Sequence, residues 1–89
     1  MMFDLVQRVK YIKETPKYVL VEFKPGTSRH GYILTIVYKN SNKFFCSCEY
    51  FLFNGTKCKH IILVEKYIKR DLPREYMNLL KKKLIFSLS

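Results

Sequence analysis

The chain has 89 residues, and its 17 Lys and Arg against 7 Asp and Glu give a formal net charge of +10. This length predicts a single small domain over residues 1–89, near the size at which a hydrophobic core alone is barely sufficient and a bound metal becomes valuable. No stretch approaches the roughly 18 consecutive apolar residues of a membrane span, and the N-terminus lacks the features of a signal peptide. We therefore expect a cytoplasmic, intracellular protein without a membrane partner.

A helix and a strand are predicted at the start of the chain. Residues 2–13 show the apolar periodicity of a short amphipathic helix, and Pro16 ends it because the residue before a proline avoids helical geometry. Residues 17–24 alternate apolar and polar side chains, which predicts a strand, and turn-forming residues follow them. His30 lies among these turn residues and is interpreted as a solvated loop residue.

Two further strands are predicted to form a hairpin. Residues 31–39 are rich in β-branched and aromatic side chains on both faces, as in the central strand of a sheet. Residues 40–42 form a turn, and residues 43–48 return as the next strand. The three strands together predict a three-stranded antiparallel meander in the order 1-2-3.

The C-terminal half is predicted to be mainly helical. The spacer 49–57 is too apolar for a free loop, and we expect it to fold over the hairpin, with a turn at 54–55 and Thr56 capping the next helix. That helix is predicted from about 57 to 70, and a last helix from 73 or 74 to about 86. The predicted fold class is α+β: a small three-stranded antiparallel β-meander with a helix after the hairpin and flanking N- and C-terminal helices.

Cys46, Cys48, Cys58 and His60 form the pattern C-x-C followed by C-x-H and include every cysteine of the chain. Three thiolates and one imidazole are an established closed, tetrahedral zinc set. Cys46 and Cys48 can face one ion from a strand end, since alternate side chains share a face. Cys58 and His60 would lie about 200° apart in a continuous helix, so we expect them on a loop and the first turn of a helix. The pattern predicts one structural Zn²⁺ that holds this helix.

The three thiols have alternative explanations. A disulfide framework is disfavoured because the number of cysteines is odd and a two-residue spacing closes a strained ring. Unrelated buried thiols remain the alternative to zinc, since free cysteine is often a small core residue. We do not expect an enzyme, because the chain has no recognisable paired carboxylates, phosphate-binding loop or nucleophile with its base, and a catalytic zinc would need one of the four ligands to be released.

The segment Gly31–Ile68, GYILTIVYKNSNKFFCSCEYFLFNGTKCKHIILVEKYI, resembles the SWIM zinc finger, whose pattern is C-x-C, a variable spacer and C-x-H at the start of a helix. An aromatic residue after the second cysteine (Tyr50 or Phe51) and Gly55 before the third also match. The resemblance implies a β-hairpin and a helix around zinc over about residues 31–70, and a role in binding nucleic acid or protein. SWIM modules occur in Mutator-type transposases, chromatin-remodelling ATPases, ubiquitin-ligase-like proteins and partners of recombinases, and none of those catalytic domains is recognisable here.

The basic character of the predicted zinc-held helix points to nucleic acid. At 3.6 residues per turn, Lys59, Lys66 and Arg70 fall within about 40° of one another on one face. Such a face suits phosphates, although an ordinary solvated helix face is the alternative. The candidate nucleic-acid-binding residues are Lys57, Lys59, Lys66, Lys69 and Arg70.

We therefore expect a zinc-stabilised accessory or regulatory protein that binds nucleic acid, with DNA favoured over RNA. The alternative is a zinc-stabilised protein–protein interaction module that recruits a larger complex, because Tyr50, Phe51 and Phe53 in the spacer can form a docking surface or stack on bases. We expect the chain to act alone, as a homo-oligomer or as a subunit of a larger assembly. A nucleoid-associated protein or a viral protein in a host cell would have this character.

Overall fold

The structure, a computed structural model, describes residues 2–25 and 31–86, and His30 lies outside them. In chain order the elements are α1 (Met2–Gln7), β1 (Val9–Glu14), β2 (Tyr18–Phe23), β3 (Ile33–Tyr38), β4 (Phe44–Cys46), α2 (Glu49–Asn54), α3 (Lys59–Ile68), α4 (Arg74–Lys81) and β5 (Leu84–Phe86). This is an α+β fold, as predicted. None of the helices in the described ranges is long and apolar enough to cross a membrane.

One mixed sheet lies at the centre of the fold, with the strand order β4-β3-β2-β1-β5. Each of the strands from β1 to β4 is antiparallel to its neighbour, so the predicted three-stranded meander is present as β2, β3 and β4. β5 runs parallel to β1 at one edge, where Leu84 pairs with Ile12. The sheet thus contains two strands, β1 and β5, that were not predicted.

The predicted helix over residues 2–13 is wrong in its second half, because α1 ends at Gln7 and β1 begins at Val9. Val9 and Ile12 are three residues apart and both are buried, which fits a helical face. In the structure, the register between β1 and β2 shifts between Val9 and Tyr11, so both residues reach the core from a strand. The register shift therefore gives the buried residues of this strand the spacing expected of a helix.

The predicted C-terminal helix also ends early. α4 stops at Lys81, and the chain turns through Lys82 and Lys83 into β5. The Lys83 carbonyl accepts a hydrogen bond from the Ile12 amide at 2.9 Å, which joins this turn to β1. A partner strand distant in the sequence decides the structure here, and local periodicity does not report it.

An unpredicted helix, α2, lies in the spacer between the second and third cysteines. Gly55 ends it in a left-handed conformation, with φ 67°, and donates its amide to the Phe51 carbonyl at 2.8 Å. Glycine adopts this conformation without steric cost. The turn predicted at residues 54–55 is therefore the C-terminal cap of α2.

α3 covers one face of the sheet and begins at Lys59, later than predicted. Its N-cap is Cys58, so the predicted cap at Thr56 is wrong. The buried side chains of α3 are His60, Ile61, Leu63, Val64 and Tyr67. They pack on the side of the sheet where β3 presents Ile33, Thr35 and Val37, all of which are buried. The hydrophobic core, and with it the metal-binding pattern, lies on this side.

Candidate metal centre

The four predicted ligands lie together in the core. Their Sγ atoms and imidazole nitrogen are all within 4.8 Å of one another, and no ligand residue is more than 7% exposed. A zinc tetrahedron has sulfur–sulfur edges of about 3.8 Å and sulfur–nitrogen edges of about 3.6 Å. Cys58 Sγ and His60 Nδ1 are 3.7 Å apart, which fits such an edge and identifies Nδ1 as the nitrogen that faces the sulfurs. The cluster of Cys46, Cys48, Cys58 and His60 can hold one zinc ion.

The end of β4 positions the first pair of ligands. Cys46 is the last residue of β4, and Cys48, at the N-cap of α2, keeps an extended backbone with ψ 157°. Ser47 is fixed between them, because it exchanges hydrogen bonds with Leu34: its amide donates to the Leu34 carbonyl at 3.0 Å, and its hydroxyl accepts from the Leu34 amide at 2.9 Å. The chain therefore stays extended past β4, and both cysteines face the same side, as the spacing predicted.

The start of α3 positions the second pair. Cys58 is the N-cap, with φ −90° and ψ 174°, and its carbonyl accepts the Ile62 amide at 3.0 Å. His60 lies in the first helical turn, so the predicted combination of loop and helix start is confirmed. Because Cys58 is at the N-terminus of α3, the helix dipole also favours its thiolate form.

Two further residues contact the ligands and were not predicted. The Thr35 hydroxyl donates a hydrogen bond to Cys46 Sγ at 3.4 Å, and Thr35 is fully buried. The ring of Phe23 meets the imidazole of His60 edge to face, with centroids 4.8 Å apart. A threonine within an apolar strand, opposite the first cysteine in the hairpin register, is a signal that could have indicated the first contact.

The thiols of Cys46 and Cys58 differ in proton affinity. Hydrogen bonding to Cys58 and burial raise the pKa of the Cys46 thiol well above its usual range. The pKa of Cys58 falls to about 3, chiefly because its sulfur accepts a hydrogen bond from Cys46, with a smaller contribution from His60. Zinc binds deprotonated thiols, so its binding releases protons and is pH-dependent.

Two of the predicted nucleic-acid-binding residues form ion pairs. The Lys57 ammonium is 2.9 Å from the Glu65 carboxylate and 5.6 Å from the centroid of the Phe44 ring. Lys66 Nζ is 3.8 Å from the exposed carboxylate of Asp71. Lys57 is therefore held against the protein, whereas the longer contact of Lys66 with a solvated partner leaves its charge available.

The other three predicted residues do not all lie on α3. Lys59 is exposed in its first turn, between two ligands in the sequence. Lys69 is the C-cap, and Arg70 lies beyond it in a left-handed conformation with φ 57°. The helical arithmetic that grouped Arg70 with Lys59 and Lys66 assumed a longer helix. The structure places only Lys59 and Lys66 on one face of α3.

This fold and this donor set define a small α+β module built around a structural zinc site. Residues 34–69 match the family model of the SWIM zinc finger. The match runs from β3 to just past α3 and contains all four ligands, so this segment is a SWIM zinc finger, as the sequence pattern predicted. A search of curated proteins and a search of solved structures each returned no match to the chain.

Proposed function

We propose that this protein binds nucleic acid, preferentially DNA, as an accessory or regulatory factor whose binding surface is stabilised by zinc. The excess of positive charge supports the proposal: the formal net charge is +10 on 89 residues. The acidic residues Glu14, Glu22 and Glu65 already form ion pairs, and their partners are lysines other than Lys59 and Lys66. The chain cannot neutralise the remaining cations itself, and a polyanion is the complementary partner.

Lys59 and Lys66 are the residues we propose as phosphate contacts on α3. Lys59 lies between the ligands Cys58 and His60, so bound zinc fixes its backbone position. Lys66 lies about two turns further along the same face. Contacts of this kind bind phosphate regardless of base, which gives salt-sensitive binding with little sequence preference.

Fluorescence anisotropy of the zinc-loaded protein with labelled single-stranded DNA, duplex DNA and RNA tests the proposal at several salt concentrations. The double variant Lys59→Gln and Lys66→Gln removes the two proposed contacts, whereas Lys81→Gln and Lys82→Gln removes the same charge from the end of α4 and the turn after it. Affinity falls with salt, and the steepness of a plot of log affinity against log salt counts the phosphate contacts. We expect the α3 variant to lose about two from the magnitude of this slope, and the control to lose little. If the wild-type protein binds none of the nucleic acids at low salt, the proposal is wrong.

A protein–protein interaction module is the alternative, and α2 provides the observation that favours it. Phe53 is 84% exposed, Leu52 61% and Tyr50 57%, although all three belong to a helix beside the zinc site. A partner bound by these side chains would lose little affinity between low and moderate salt, which separates this function from phosphate binding. For either function we propose a non-enzymatic role, because the three thiols and the imidazole would all be zinc ligands. We propose an intracellular location because the thiols must stay reduced to bind zinc.

A further inference from the structure

The sheet face opposite α3, here called the outer face, carries a continuous row of side chains across all five strands. Each residue of the row is the cross-strand partner of the next, in the order Phe45, Ile36, Leu20, Lys13 and Ile85. Phe45 is 44% exposed and Ile85 49%, and the three residues between them are half-buried.

The neighbouring row on the core side shows the contrast. Cys46, Thr35, Val21 and Ile12 form that row by the same strand pairings, and each is at most 2% exposed. α3 packs against β2, β3 and β4 on this side, and its buried side chains cover the core-side row. Among the described residues, the Phe51 ring of α2 meets the outer-face row at Phe45, with centroids 5.6 Å apart, and Phe45 still remains 44% exposed.

Aromatic rings are concentrated on the outer face. Tyr18 and Tyr38 are cross-strand partners beside the row, with ring centroids 5.9 Å apart and planes inclined by 55°. Tyr38 is 42% exposed, and Tyr32, which precedes β3, is 54% exposed. Rings held on a sheet lose little conformational freedom when a flat ligand stacks on them, so they form a preorganised surface.

The charges on this face are positive. Lys13 lies in the middle of the row and forms no ion pair with any residue that the structure describes. Glu22 is the one acidic residue among the described strand residues of the outer face. Its carboxylate oxygen Oε2 lies 3.7 Å from Lys10 Nζ, so the two charges compensate each other. Lys10 also lies 4.7 Å above the centroid of the Tyr32 ring. The face therefore combines accessible rings with a cation, Lys13, that has no ion-pair partner among the described residues.

We propose that the outer face binds single-stranded nucleic acid, with bases stacked on Tyr38 and Phe45 and a phosphate near Lys13. This inference rests on the proposed function: it specifies a single strand as the ligand and adds a second contact surface, on the side of the sheet opposite the phosphate contacts of α3. Aromatic rings beside positive charge are the recognition chemistry of single strands, whose bases are free to stack. A duplex keeps its bases paired and cannot present them to a flat sheet.

The same charges disfavour a second copy of the chain on the outer face. Two copies packed face to face would each bury Lys13 without an ion-pair partner from residues 2–25 and 31–86, and every copy carries a formal charge of +10. Burying like charges without counter-ions is costly, whereas a phosphodiester backbone supplies the counter-charge.

The experiment uses the zinc-loaded full chain with labelled oligo(dT), oligo(rU) and duplex DNA of about 20 nucleotides per strand. Tyr38→Ala and Phe45→Ala each remove a ring from the outer face, and Tyr38→Phe retains the ring. Phe53→Ala is the matched control, since it removes an exposed ring from α2. We expect each outer-face alanine to weaken single-strand binding about 5- to 100-fold, while Tyr38→Phe and Phe53→Ala bind like the wild type. The comparison of oligo(dT) with oligo(rU) shows whether DNA or RNA is the better ligand.

Circular dichroism and zinc content verify that each variant is folded. Tyrosine fluorescence of the wild-type protein gives a second measurement that needs no variant. The chain has no Trp, so its emission comes from tyrosine, and stacking of unlabelled oligo(dT) on the outer face should quench it. If both alanine variants bind single strands as tightly as the wild type, while the Lys59 and Lys66 variant binds them more weakly, this inference is overturned and the proposed function stays intact. Absence of all nucleic-acid binding would refute both. A wild-type dimer that Tyr38→Ala dissociates would assign the outer face to a second copy.

Discussion

Replacing Thr35 with valine is expected to weaken zinc binding while the protein stays folded. The Thr35 hydroxyl donates to Cys46 Sγ at 3.4 Å from a fully buried position in β3. Valine has nearly the same shape and is also β-branched, so it keeps the strand preference and fills the same space. The substitution therefore removes one donor from a ligand sulfur and changes little else.

The size of the effect follows from the geometry of this contact. A hydrogen bond to a charged group contributes about 1.5–3 kcal/mol, and loss of an outer partner of a zinc ligand typically lowers metal affinity about 10- to 100-fold. Sulfur is a weaker acceptor than oxygen, and the contact between Thr35 Oγ1 and Cys46 Sγ is a long one at 3.4 Å. We therefore expect the lower end of that range, about tenfold, which corresponds to about 1.4 kcal/mol.

Competition against a chromophoric zinc chelator measures the affinity of the wild type, Thr35→Val and Thr35→Ser. Serine keeps the hydroxyl and loses one buried methyl group, so it should bind zinc like the wild type but unfold at a free energy lower by about 1 kcal/mol. If the valine variant binds zinc as tightly as the wild type, the hydroxyl does not support Cys46. Equal losses of zinc affinity in both variants would attribute the effect to packing of β3 and not to the hydrogen bond.

Three further predictions concern the metal, the pH dependence and the end of α3. Metal analysis should find about one zinc per chain. Chelation or Cys58→Ser should unfold α2 first, because that helix has no buried side chain of its own. A zinc-free protein with an unchanged circular dichroism spectrum would contradict this. Burial and the nearby Glu14 carboxylate raise the pKa of Tyr67 to about 12. The protonated Tyr67 therefore stabilises the folded state fully below the ordinary tyrosine pKa of about 10, and this contribution is lost as the pH rises towards about 12. Denaturant unfolding should show a shallower alkaline loss of stability for Tyr67→Phe, and an identical profile would refute the assignment. Arg70→Gly should raise the free energy of unfolding by about 0.5–1 kcal/mol, because glycine adopts the left-handed conformation at φ 57° without strain; a lower value would show that the Arg70 side chain stabilises more than its backbone costs.

The metal site could be predicted from the sequence because its chemistry is local. The two short C-x-C and C-x-H pairs restrict the backbone strongly, and the spacing of Cys58 and His60 predicted a loop residue followed by the first turn of a helix. Thr35 could not be assigned in the same way, since its contact with Cys46 depends on the register of the hairpin. The ligands are fixed by spacing, whereas their neighbours are fixed by strand pairing.

The strands β1 and β5 show why the rest of the fold could not be predicted. The register shift between Val9 and Tyr11 gives β1 the periodicity of a helix, so the pattern indicates the wrong element. β5 exists because Leu84 pairs with Ile12, more than half the chain away, and no local signal reports that pairing. Tertiary pairing decides both segments, and local propensity yields to it.

Zinc and the outer face lie on opposite sides of the same sheet. The ligands lie at the end of β4 and at the starts of α2 and α3, so one ion links elements on the core side of the sheet. Within residues 2–25 and 31–86, α3 packs on the core side of the sheet, whereas Tyr38 and Phe45 stay exposed on the outer face. Because zinc supplies stability that a larger core would otherwise provide, Tyr38, Phe45 and Lys13 can remain uncovered on the outer face. A structural metal on one side of the sheet thereby stabilises the sheet while the proposed binding surface on the other side stays exposed.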